Sequence, residues 1–82
     1  MAKTDIPYGS IQTAAELGRL ARAHRKNKHL TLETVSGLSH LSPRFLSEFE
    51  RGKETAEIGK ILKALRLLGL EVIIQPRGAR NS

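Results

Sequence analysis

Leu41-Ser42-Pro43-Arg44-Phe45-Leu46-Ser47-Glu48-Phe49-Glu50-Arg51-Gly52-Lys53 is the stretch on which the fold turns. Ser42 offers a hydroxyl that can cap a helix, and Pro43 follows at the first helical position, where its missing N–H costs no hydrogen bond. Phe45, Leu46 and Phe49 recur on one face, and Gly52 stands where a helix can end in the left-handed conformation. The spacing predicts a short helix that starts at Pro43, stops at Arg51-Gly52 and turns Arg44, Ser47 and Glu48 away from the core.

Working upstream, Ser39-His40-Leu41 reads as a tight turn, preceded by a short helix over 32–38 that Thr31 can cap. Leu32, Val35 and Leu38 share a face of that helix, with Ser36 and Ser39 keeping other contacts small. Further back, Thr13 and Glu16 have the spacing of a reciprocal capping box, and Leu17, Leu20, Ala21 and His24 share a stripe. A first helix is expected from Ala14 to Asn27. Residues 1–12 mix Pro7, Gly9 and Ser10 with isolated apolar side chains and read as a flexible arm.

Downstream, Thr55 is placed to cap a fourth helix with an apolar stripe of Ile58, Ile61, Leu62, Leu65 and Leu68, while Lys60, Lys63 and Arg66 face outward and Gly69 ends it. The segment 70–75, Leu-Glu-Val-Ile-Ile-Gln, is rich in β-branched residues, and Pro76 stops it. It reads as one short strand. A lone strand leaves its backbone unpaired, so the same strand of a second copy is the expected partner, with Val72, Ile73 and Ile74 at the dimer contact. Residues 76–82 read as a disordered tail.

At 82 residues the chain holds one domain, 13–69, with a thin margin of stability. Fourteen Lys and Arg against eight Asp and Glu give a net charge of +6, which attracts phosphate-rich polymers. Arg19, Arg22, Arg25, Lys26 and Lys28 fall within ten residues that contain no acid. There is no cysteine, hence no disulfide or thiolate site. No signal peptide and no membrane-spanning run is discernible, so a cytoplasmic location without membrane contact is expected. His24, His29 and His40 lie five and eleven residues apart with no carboxylate in ligand register, which argues against a metal site. No Ser-His-Asp grouping, phosphate loop or paired-carboxylate pocket is present, so neither enzymatic activity nor a cofactor is expected.

Two short helices joined by a turn of about three residues have the geometry of a helix-turn-helix. Leu30-Thr31-Leu32-Glu33-Thr34-Val35 together with 41–53 resembles the Xre-type helix-turn-helix repressor domain and, within it, the HipB-like antitoxins of HipBA-type toxin-antitoxin modules. The resemblance covers roughly 16–70, is most specific over 45–53, and continues into the strand at 70–75. It implies a mainly α, four- to five-helix lambda-repressor-like domain with one short C-terminal β-strand pairing across a dimer. It also implies a homodimeric repressor of its own operon on double-stranded operator DNA, and a HipA-like serine/threonine kinase toxin as partner. Two departures stand out: Leu32 occupies a position where the family commonly has Gln, and His40 one where it usually has Gly.

Side chains at the start and outer face of a recognition helix reach base edges in the major groove. Here those are Ser42, Pro43, Arg44, Ser47 and Glu48. The Arg44 fork matches the two acceptors of guanine. Phosphate contacts are expected from the helix starts at Thr31 and Ser42 and from the flanking Arg51 and Lys53. By the resemblance, Arg25 and Glu50 form a structural ion pair tying the first helix to the end of the third. Two other functions fit the same residues: a phage-type or restriction-modification controller, and a protein-interaction adaptor whose basic face only solubilises it.

Overall fold

Side-chain caps set where three of the four helices begin. The computed structural model describes residues 6–78 and places α1 at Ala14–Asn27, α2 at Leu32–Ser39, α3 at Pro43–Glu50 and α4 at Ile58–Leu67. The Thr13 hydroxyl accepts from the Glu16 amide at 3.0 Å, and the Glu16 carboxylate accepts from the Thr13 and Gln12 amides. Thr31 and Ser42 accept from Thr34 N and Phe45 N in the same way. The expected cap of α4 is corrected. Thr55 lies in the turn before the helix, and the backbone enters through an extended Glu57 with no side-chain cap.

Three helices close with the same pair of backbone bonds. Behind α3, Gly52 N and Lys53 N donate to Phe49 O and Glu48 O, and behind α4, Gly69 N and Leu70 N donate to Arg66 O and Leu65 O. Both glycines carry positive φ, as this closure requires. Behind α1 the same pattern runs from His29 N to Lys26 O and Leu30 N to Arg25 O, with His29 at φ 59°. The α2–α3 turn places His40 at φ 64°, ψ 22°. Ser39, fully buried, holds that turn: its hydroxyl donates to Val35 O at 2.7 Å and accepts from Leu41 N at 3.2 Å.

The core gathers Ala21, Val35, Leu41, Leu46, Phe49, Ile61, Ala64, Leu65 and Leu68, with Leu17, Leu30, Phe45 and Leu70 packed at its edge. α1 reaches α3 closely because Gly18 has no side chain: a Cβ there would stand 2.5 Å from Phe49 O and 2.6 Å from Glu50 O. Arg25 and Glu50, both buried, join the same two helices through a bidentate pair, Nε to Oε2 at 2.7 Å and Nη2 to Oε1 at 3.0 Å. The remaining Nη1 donates to Leu30 O at 2.7 Å, so the guanidinium also holds the α1–α2 turn. The hydrogen bond to Glu50 raises the Arg25 pKa above its ordinary value, so the guanidinium stays charged.

Other expectations change. Leu38 is 61% exposed, because the last turn of α2 has no element over that face. Ile58 and Leu62 of the α4 stripe are exposed too, while Ile61, Leu65 and Leu68 are buried. Among the described residues there is no strand and no fifth helix: 70–75 form no ladder, since a single chain presents nothing for that segment to pair with. One side chain of the N-terminal segment, expected to be a flexible arm, makes a defined contact. Tyr8 Oη lies 2.6 Å from His24 Nδ1, and His24 Nε2 lies 2.8 Å from Leu68 O at the end of α4. Residues 1–5 and 79–82, the outer parts of the expected arm and tail, lie outside the described residues.

Candidate nucleic-acid interface

The helical period of α3 separates its apolar side chains from its polar ones. Leu46 and Phe49 are buried and Phe45 half-buried, stacked on Phe49 with ring centroids 6.4 Å apart. Pro43, Arg44 and Arg51 are exposed, and Ser47 and Glu48 sit half-buried between them. Two groups of side chains organise this outer surface.

The first group is centred on Glu48. Its Oε2 accepts from Arg44 Nε at 3.2 Å and its Oε1 from Lys53 Nζ at 3.0 Å. These two cations, Lys53 foremost, hold the Glu48 carboxyl below the usual carboxylate range, so it stays ionised at neutral pH. The second group lines an open hollow between the end of α1, the start of α2 and the last turn of α3. Thr31, Ser47 and Arg51 line it together with Arg22, Lys26, His29 and the acidic Glu33, and the Arg25–Glu50 pair also lines it. Within it Arg51 Nη1 donates to Ser47 Oγ at 2.7 Å. Arg22, Lys26 and Arg51 outnumber Glu33 in the hollow, and the positive end of the α2 dipole opens onto it, which suits the surface to an anion.

Of the residues expected to contact DNA, Thr31, Ser47 and Arg51 meet in the hollow, and Arg44, Glu48 and Lys53 form one linked cluster. Ser42 and Pro43 open α3, with the Ser42 hydroxyl committed to its cap. Val72, Ile73 and Ile74 join neither group; they lie exposed on the segment after α4. Arg22, Lys26 and His29 were not singled out from sequence as contact residues. Arg22 and Lys26 lie four apart on a helix, hence on one side of it, within the acid-free basic run. That spacing was the available signal. What sequence lacked was the side of α1 that borders α3.

Two helices joined by a tight turn, the second with a polar, cation-bearing outer face, define a helix-turn-helix protein. The chain belongs to the helix-turn-helix domain family, which matches residues 16–72, and to its transcriptional regulators rather than to enzymes. It is 39% identical over 71 residues to an uncharacterized HTH-type transcriptional regulator, y4mF, of Sinorhizobium fredii (strain NBRC 101917 / NGR234), covering 87% of this chain and 93% of that one. Its fold is similar to that of solved chains in a HipB–O4 20mer complex and in a HipA–HipB–O2–O3 complex. Each has a TM-score of 0.79 at 16% identity, over 85% of this chain and 99% of the other. Among the described residues no helix is long and apolar enough to cross a membrane.

Proposed function

We propose that the protein is a sequence-specific DNA-binding repressor that acts as a homodimer on an operator beside its own gene. One observation carries this reading: on α3 the exposed Arg44 stands one helical turn before Ser47, which lines the hollow at the start of α2 with Arg22, Lys26 and Arg51. A recognition helix needs both, base-edge donors in the major groove and phosphate ligands that fix its register. In this reading Arg44 contacts guanine, Ser42, Pro43, Ser47 and Glu48 approach bases, and Thr31, Arg51 and Lys53 hold phosphates together with Arg22 and Lys26.

The dimer contact is 70–75. Val72, Ile73 and Ile74 are exposed in the single chain, Ile74 at 90%, and pairing this segment with its copy would complete a two-stranded sheet, satisfy its backbone and bring these side chains beside their counterparts. Ile58 and Leu62 are further exposed apolar side chains, on α4, available to such a dimer. Such a dimer places two recognition helices about one helical turn apart on a roughly palindromic site. The sequence resemblance to HipB-like antitoxins favours autorepression of a toxin-antitoxin operon and binding of a HipA-like kinase, which would be the enzyme of the pair. The likeness to solved HipB chains supports the fold on which that reading rests.

The test is binding to the DNA just upstream of its own gene, against a scrambled duplex of equal length, over a salt series. Selective binding that weakens steeply with salt is the expected result, because each neutralised phosphate releases counterions. Equal, weak binding to both duplexes would remove the repressor and leave the protein-interaction adaptor. Co-purification with a HipA-like kinase encoded beside the gene tests the antitoxin role; its failure alongside selective DNA binding would favour a phage-type or restriction-modification controller.

A further inference from the structure

The Glu48 carboxylate sits where an anion is least expected, on the outer face of the helix assigned to polyanionic DNA. It is accounted for by what it holds. Arg44 is engaged through Nε alone, and neither Nη nitrogen donates to a protein group among the described residues. The Arg44 side chain is 87% exposed and that of Glu48 is 24% exposed, so the carboxylate is seated on the helix while the guanidinium stands in solvent. The other carboxylate oxygen is occupied by Lys53, which follows the helix and fixes Glu48 from the far side.

An arginine can present two parallel N–H bonds to guanine O6 and N7 either from its end, Nη1 with Nη2, or from its side, Nε with one Nη. With Nε taken, the end-on edge remains. A long exposed side chain otherwise loses much rotamer freedom when it binds, and a charge-assisted hydrogen bond at Nε removes part of that freedom beforehand. An exposed ion pair adds little to stability. Its effect therefore falls on recognition.

We propose that Glu48 is a positioning residue for specificity: clamped by Lys53, it holds Arg44 by Nε so that the Nη1–Nη2 edge meets one guanine of the operator. The proposal rests on the DNA-binding reading above. It differs from a direct role, in which the carboxylate would accept from a cytosine amino group: a positioning role acts at the guanine read by Arg44 and vanishes without Arg44, a direct role acts at a cytosine and does not.

Selection from a random duplex library with wild-type protein, Arg44→Ala, Glu48→Gln and the double variant tests it, followed by anisotropy on the selected duplex and on a copy with the Arg44-dependent guanine replaced. Arg44→Ala is expected to lose on the order of tenfold or more of the guanine preference. Glu48→Gln is expected to lose roughly threefold to tenfold at that same guanine, while its binding to non-specific duplex rises because an anion has been removed from the interface. In the Arg44→Ala background, Glu48→Gln should change the preference no further. Thermal melting checks that each variant is folded; Arg44 is exposed, and Glu48→Gln keeps the size and shape of the half-buried side chain. An unchanged guanine preference in Glu48→Gln, or a loss at a cytosine that persists without Arg44, would overturn the proposal and leave DNA binding intact. A wild-type chain that selects no sequence would overturn both together.

Discussion

His29 and His40 hold φ at 59° and 64°, where a Cβ crowds the backbone and a residue other than glycine pays about 1–2 kcal/mol. Both positions end a helix, and the closing hydrogen bonds enforce the angle. His40→Gly is expected to stabilise the fold by about 1 kcal/mol, less what the freer unfolded chain gives back. In a domain of this size each net kcal/mol raises the melting temperature by roughly 4–8 °C, which calorimetry measures. His29→Gly should act with the same sign, and because His29 lines the cationic hollow it also shows whether its ring takes part in DNA affinity. Glu50→Ala is the opposite case. It strands the buried Arg25 guanidinium and should cost about 3–5 kcal/mol, read from denaturant unfolding. The folded fraction should keep the wild-type base preference, since the pair lies beneath the contact surface; a changed preference with unchanged stability would place Glu50 in recognition instead.

The helices differ in how legible they were. α1 was readable to the residue, because Thr13 and Glu16 form a reciprocal box that few other conformations satisfy. Ser42-Pro43 and Gly52 bracketed α3 equally well. At α4 a threonine at 55 suggested a cap, yet 54–56 are spent on the link from α3, and spacing alone does not show how many residues a crossing needs. Leu38 matched the apolar period of α2 but stands at an uncovered end, because periodicity gives a face and not the neighbour above it. The Arg25–Glu50 tie followed from the family resemblance, whereas the clustering of Arg22 and Lys26 with Arg51 needed the angle between α1 and α3. That crossing depends on Gly18. Gly18→Ala should therefore destabilise by more than 1 kcal/mol, although alanine is ordinarily the better helix former by about that amount. Gly37→Ala in α2, where an added Cβ meets nothing within 4 Å, is the matched control and should stabilise by about 0.5–1 kcal/mol. Equal signs in the two melting curves would mean that α1 and α3 can separate at little cost.

At the scale of the whole molecule, 70–75 remained half-legible: its composition announces a strand, and one chain cannot supply the other half of the ladder. Ile73, 69% exposed, stands in the middle of the apolar run 72–74, so its change costs the monomer little and the proposed dimer much. Ile73→Lys is expected to sediment as a monomer with unaltered helical content and much weaker operator binding. A normal dimer would move the contact to the exposed face of α4. The arm bears on the same region, since Tyr8 reaches His24, and His24 in turn reaches the carbonyl of Leu68, two residues before that segment starts. The chain contains one tyrosine and no tryptophan, and that tyrosine is the one hydrogen-bonded to His24. Its ultraviolet emission is thus an unlabelled optical signal from a single known contact. Imidazole at hydrogen-bond distance dims a phenol, so brightening on addition of DNA or on dilution would register release of the arm in real time.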